Sequence, residues 1–366
     1  MQIKISDRLV GDGQPCFIIA EAGVNHNGSL ELAKKLIDEA VKAGVDAIKF
    51  QTFKAENLVT PHAEQAKYQT ENIGKKESQY DMLKRLELRY EDFRELKKYC
   101  DSRGIIFLST PHSSKEDVDL VTELCPAIKV GSGDLTNLPI LTYIAKKWKP
   151  IILSTGMSTL DEVREAVETI VPINANLILL HATTNYPTPL AEVNLRAIET
   201  LRRAFGLPVG YSDHTVGINV SIAAVALGAC VIEKHFTLDK TMEGPDHKAS
   251  LEPLELKALV DGVRSVEKRL GKGESSETII GELNISGALG DGVKRPTPSE
   301  SETAKVARKS IVAAMDIENG AVISEDMLAI RRPGTGLKPK LMKTLIGKRT
   351  KKRICKDEML KLAYLE

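Results

Sequence analysis

Eight short apolar segments, rich in β-branched residues, alternate with longer amphipathic stretches through the first 270 residues. This rhythm constrains the fold more than any other feature of the chain. The strand candidates are 17–20, 47–50, 105–109, 127–130, 151–154, 177–181, 208–211 and 230–234. Between them lie helical patterns such as SLELAKKLIDEAVKAG, DEVREAVETIV and NVSIAAVALGA. Several open on a capping residue (Ser29, Ser114, Thr159) and several close on glycine (Gly44, Gly104, Gly228). Strand then helix, repeated eight times over about 250 residues, is the pattern of an α/β fold of the (β/α)8 TIM-barrel type. The competing open doubly wound sheet often carries a GxGxxG turn after its first strand. Here that strand runs into EAGVNHNG, which does not match.

One connection is long, from Thr52 to Arg89, and reads either as a substrate lid or as a variable surface loop. The rhythm stops after Leu270. A stretch rich in Gly, Ser, Pro and charge follows, and then about 65 residues of short apolar pieces. The expected division is a barrel over 1–283, a linker over 284–300 and a small domain over 301–366. So small a domain buries few side chains alone, so it is expected to lean on another surface. The basic KRTKKR run near its end reads as a solvated face.

Composition narrows the class. Of 366 residues, 42% are hydrophobic and 28% charged, an ordinary globular balance. The formal net charge of +1 argues against a chain tuned for nucleic acid or anionic membrane, and neither partner is expected. No run approaches 18 apolar residues, and the first 15 residues lack the apolar core of a signal peptide. Five scattered cysteines without CxxC spacing fit neither a disulfide framework nor a zinc knuckle, so a reducing cytoplasm is the expected compartment.

A barrel places its active site where the strands end. Read in order, those ends carry Glu21, Asn25 and His26; Lys49 and Gln51; Ser109, Thr110 and His112; Lys129, Ser132 and Asp134; Ser154 and Thr155; His181, Thr184 and Tyr186; Ser212, Asp213 and His214; Glu233, Lys234 and His235. Five of the seven histidines are thereby expected at one face. Singly, each has a plain reading: a rim salt bridge, a hydrogen-bonded histidine, a turn hydroxyl. Together, Lys49 and Lys129, the hydroxyls and the turns before helices suit a phosphate, or a phosphate with a carboxylate. The near-zero net charge is expected to conceal a locally basic mouth. His214 and His235, from neighbouring strands, suit an exchangeable divalent cation. Glu21 and Glu233 are the candidates for proton transfer or for orienting a water.

At these residues a family resemblance becomes specific. IIAEAGVNHNGSLELAKKLI, DAIKFQTF, GSGDLTNLP, ILSTGMSTL, YPTP, GYSDHTVG, IEKHFTLD and GPDHKASLEP, in this order, resemble the sialic acid synthases, makers of nonulosonic acids. The C-terminal part resembles their antifreeze-like (SAF) domain, of the β-clip type. The resemblance implies condensation of phosphoenolpyruvate with an open-chain N-acylated amino sugar, such as N-acetylmannosamine, with water. A nine-carbon 2-keto acid and phosphate result. It also implies a divalent metal, Mn2+ in the first place, with Mg2+ or Co2+ as alternatives. By the same resemblance His214 and His235 match metal ligands. Lys49, Thr110, Lys129, Ser132, Ser154, Thr184 and Ser212 match the phosphoenolpyruvate site. Gln51, Asp134, Tyr186 and Asp246 match positions near the sugar. Arg332 of RRPGTG matches an arginine that enters the partner's active site, which implies a domain-swapped homodimer. Three positions depart from the pattern: Thr184 stands where some members have Asn, Asp134 where Glu is familiar, and His112 where an aromatic is expected. The last two bear on which sugar is used. Within the family, 2,4-diacetamido-2,4,6-trideoxymannose, giving N,N′-diacetyllegionaminate, is the alternative substrate. A metal-dependent barrel hydrolase or aldolase is a more distant reading. The HxH pair expected on its first strand is absent here. A non-catalytic binder working through the small domain is a third.

Overall fold

The structure, a computed structural model, describes residues 1–112 and 114–366. A hairpin of β1 (Gln2–Ile5) and β2 (Arg8–Gly11) opens the chain, and its Ile3, Ile5 and Val10 join the main core. Eight barrel strands follow: β3 (Phe17–Gly23), β4 (Ala47–Thr52), β5 (Ile106–Pro111), β6 (Ile128–Val130), β7 (Ile151–Ser154), β8 (Leu177–Ala182), β9 (Val209–Asp213) and β10 (Val231–His235). The ladder runs β5-β4-β3-β10-β9-β8-β7-β6, and its pairs are parallel. The strands are buried on both faces, which is why they read as unbroken apolar runs rather than alternating ones. The expected eight-stranded α/β barrel is therefore the fold, and the eight segments read from the sequence are its strands.

The helices form for the local reasons the sequence offers. The helix Leu30–Ala43 is capped by the Ser29 side chain, which accepts from the Leu32 amide. It stops at Gly44, whose φ of 80° lies in the left-handed region. Its Ala33, Leu36, Ile37 and Ala40 recur at helical spacing and face the barrel. The long connection after β4 folds into three short helices, Ala55–Leu58, Lys67–Ile73 and Gln79–Leu86. They share a core of their own with Val24 and Phe53, and they lie over the mouth as a lid.

Beyond the closing helix Pro253–Gly271, an arm helix, Pro298–Ala307, leads into the small domain. It begins inside the 284–300 segment read as a linker. Thr297 and Glu300 form its capping box. The small domain pairs β11 (Ser310–Ala313) with β12 (Leu328–Arg331) and closes around Ile311, Ile317, Ile323, Leu345, Ile354 and Leu360. Its side chains in the KRTKKR run are exposed apart from Thr350. The domain leans on the barrel, as its size requires. Lys309 Nζ lies 2.6 Å from both Asp134 oxygens. Arg308 forks onto Glu162.

Candidate active site

All the site residues proposed from the sequence except Asp134 line one cavity at the C-terminal ends of the strands. Asp134 lies just behind it. Its carboxylate is held by Lys309 and by the Asn137 amide, so it fastens the small domain instead of facing the cavity. Of the five histidines expected at this face, His112, His214 and His235 line the cavity. His181 and His26 do not. Side chains alternate along a strand, and His181 falls on the outward side of β8, with Nε2 against the Val193 carbonyl. His26 Nδ1 accepts the Gly28 amide beneath the rim.

The floor of the cavity is a chain of buried charges. Lys49 Nζ lies 2.7 Å from Glu21 and 3.5 Å from Glu233, and donates to Thr110 Oγ1 at 3.0 Å. Lys129 Nζ lies 3.4 Å from Glu233 and donates to Ser154 Oγ at 2.8 Å. Ser212 donates to Glu233 Oε1 at 2.8 Å. Each lysine thus faces a carboxylate, so the expected basic mouth is in fact charge-paired. Buried charges need such partners, because desolvation without one is costly.

This pairing pulls the titratable groups apart. Burial raises the Glu21 carboxyl above its ordinary range, with the neighbouring Lys49 working against that. Burial pushes Glu233 the same way, but Lys129, Lys49 and the Ser212 hydroxyl outweigh it and hold it well below that range. Burial lowers the Lys129 ammonium to about 8, with Glu233 opposing. Asp246 is raised to about 7 by burial and by Glu21.

The same cavity is lined by hydroxyls. Ser132 Oγ accepts the Gly156 amide at 2.9 Å, and the buried Thr184 Oγ1 has no hydrogen-bond partner. Gly156 permits this approach: a Cβ there would lie 2.2 Å from Thr184 Oγ1 and 2.8 Å from Ser132 Oγ. On the other side, Tyr186 packs against His214 and His235, with ring centroids at 4.1 and 5.3 Å. Sequence reasoning missed the lid's contribution of Tyr68, Gln69 and Gln79, and the arm's Thr303. Arg332 enters this same mouth from its own chain, with Nη1 3.3 Å from Gln79 Oε1 and its backbone paired to the lid at Leu58 and Thr60. The resemblance had it entering a partner's mouth.

Comparison with known proteins assigns this arrangement. The NeuB family model matches residues 36–275, and the SAF domain model matches residues 308–366. The chain belongs to the NeuB family. It is 48% identical to the N,N′-diacetyllegionaminic acid synthase of Campylobacter jejuni, over 94% of this chain and 98% of that protein. It is 38% identical to the human N-acetylneuraminate-9-phosphate synthase, over 96% and 93%. The crystal structure of the spore coat polysaccharide biosynthesis protein SpsE of Bacillus subtilis superposes with a TM-score of 0.83 at 34% identity, covering 100% of this chain and 99% of that one. This NeuB-family chain is therefore an enzyme, of the phosphoenolpyruvate-dependent kind that forms carbon–carbon bonds. Among its described residues, no helix is long and apolar enough to cross a membrane.

Proposed function

We propose that the enzyme condenses phosphoenolpyruvate with the aldehyde of an N-acylated amino sugar and water, giving a nine-carbon 2-keto acid and phosphate. The observation that carries this reading is the pair of buried lysines in one cavity with the unpartnered Thr184 hydroxyl and with two neighbouring histidines whose ring centroids lie 5.5 Å apart. Lys49 and Lys129 offset the charge of phosphoenolpyruvate, and Ser132, Ser154 and Thr184 donate to its oxygens. Carbon 3 attacks the sugar aldehyde, water adds at carbon 2, and collapse breaks the C–O bond to release phosphate. The split carboxyls divide the labour. Glu21, whose carboxyl burial raises above its ordinary range, is the proton carrier at the water. Glu233 stays ionised and holds both lysines in place.

His214 and His235 fit a divalent cation, Mn2+ before Mg2+ or Co2+. His214 Nδ1 donates to the Thr183 carbonyl at 2.7 Å, which leaves Nε2 as the acceptor, and the buried His235 Nδ1 has no partner. No cluster of three His, Cys, Asp or Glu side chains suited to a metal occurs among the described residues, so water and substrate would complete the shell. When bound there, the cation supplies Lewis-acid polarisation of the aldehyde.

The composition of the lid supports a sugar that carries apolar groups. Leu58, Met82, Leu83 and Leu86 form an apolar wall, and the cations among the described lining residues are Lys49, Lys129 and Arg332. Such a wall suits the methyl groups of 2,4-diacetamido-2,4,6-trideoxymannose. The test is phosphate release with phosphoenolpyruvate, Mn2+ and each of three sugars: that one, N-acetylmannosamine and its 6-phosphate. Release that needs all three components is the expected result, with the trideoxy sugar turned over fastest. Release without a sugar would overturn the condensation in favour of hydrolysis.

Below pH 8 Lys129 is cationic, and above it the amine loses its charge. Affinity for phosphoenolpyruvate should therefore weaken by up to about tenfold per pH unit above 8. Titration calorimetry across pH 7–10 checks this, and the Lys129→Arg variant should remove the slope. The proposal also includes the domain-swapped homodimer, in which each copy's small domain would make the contacts seen here on the other copy's barrel. The mass of the enzyme in solution tests that.

A further inference from the structure

The arm helix carries a carboxylate that the sequence reading left in a linker. Glu300 is 1% exposed. Its Oε2 accepts from the Thr297 amide at 2.9 Å, which closes the capping box of its own helix. Its Oε1 leaves the helix altogether. It accepts from the Met157 amide at 2.6 Å and from the Thr184 amide at 2.7 Å. Those amides belong to the loops after β7 and β8, which carry Gly156 and Thr184, the first of them following directly on Ser154. Met157 sits in the left-handed region, with a φ of 59°, which a side-chain-bearing residue adopts only when its surroundings hold it there. The arm holds it from both sides: Glu300 takes its N–H, and Arg308, one residue past the other end of the arm, donates to its carbonyl at 2.7 Å.

We propose that Glu300 is a positioning residue for the phosphate end of the active site. It clamps the loops after β7 and β8 together, so the anion donors are in register only while the arm is docked. The inference rests on the reading of this mouth as the phosphoenolpyruvate site. It goes further in tying that site to the chain segment that carries the small domain. Phosphoenolpyruvate binding and arm docking are then linked, and each strengthens the other. The carboxylate touches neither reacting atom, and its effect falls on one substrate.

The test compares four full-length proteins: wild type, Glu300→Ala, Glu300→Gln and Thr297→Ala. Glutamine keeps the accepting Oε1, and Thr297→Ala weakens the helix cap while leaving the clamp. Glu300→Ala should raise KM for phosphoenolpyruvate about thirtyfold, as expected for two charge-assisted hydrogen bonds lost, and leave KM for the sugar within about twofold. Amide exchange in peptides spanning 155–158 and 183–185 should quicken about tenfold in that variant with no substrate present. Glu300→Gln should restore both readouts, and Thr297→Ala should disturb neither. Unchanged exchange at both loops in Glu300→Ala overturns the proposal. So does an equal rise in both KM values with a lower Tm, the mark of a merely structural role. If wild type binds no phosphoenolpyruvate, the reading of the mouth falls, and the exchange comparison still decides the clamp.

Discussion

Lys129→Ala should cost the enzyme about a thousandfold in kcat/KM for phosphoenolpyruvate, with the KM for the sugar unmoved. The size follows from what the side chain holds. Truncating one partner of a buried charge pair costs about 2–5 kcal/mol, because the other charge is stranded. Here the stranded group is Glu233, left with Lys49 at 3.5 Å as its remaining cation. The same substitution deprives Ser154 Oγ of the ammonium that orients it. Steady-state kinetics with each substrate varied in turn, backed by calorimetric titration of phosphoenolpyruvate, separates this from general damage. A KM for phosphoenolpyruvate within twofold of wild type would sink the assignment. Lys129→Arg should recover part of the loss, since a permanent charge returns without the fit of the smaller head.

His235→Ala should abolish retention of a stoichiometric divalent cation and lower turnover by at least three orders of magnitude, the scale on which a Lewis acid stabilises developing charge. Two imidazoles are a sparse ligand set, so losing one leaves a single protein donor. Elemental analysis after dialysis reads the metal directly and needs no assay. Full metal content together with lost activity would move His235 from ligand to some other role.

The barrel was legible because its signal is periodic and local. Runs such as IILS and VIEKH begin apolar, as strands buried on both faces do, and their polar ends mark the mouth. What escaped was anything decided by side or by partner. His181 is adjacent in sequence to the end of its strand, yet faces outward, and two-residue alternation on a short apolar run gives no polar contrast to reveal it. Lys49 and Lys129 were visible as cations, but that Glu21 and Glu233 compensate them depends on four strands meeting. Asp134 was read for its place after β6, and Lys309, which takes it, lies 175 residues away. Glu300 did have a local signal. The TPSE sequence at 297–300 is a capping box after a run of Gly, Ser and Pro, and its own composition hid it inside an apparent linker.

The charge-paired floor of the cavity has a consequence for selectivity. An open basic pocket would fill with whatever phosphate or sulfate the surroundings supply, and would spend most of its time blocked. In this mouth the lysine charges are offset, because Glu21 and Glu233 pair with them. A single small anion offers too little to displace those contacts. Phosphoenolpyruvate carries a carboxylate and a phosphate on one rigid frame and can engage both ammonium groups at once. On the proposed function, the paired floor would act as a threshold that favours a ligand with two separate anionic groups over an ion that has only one.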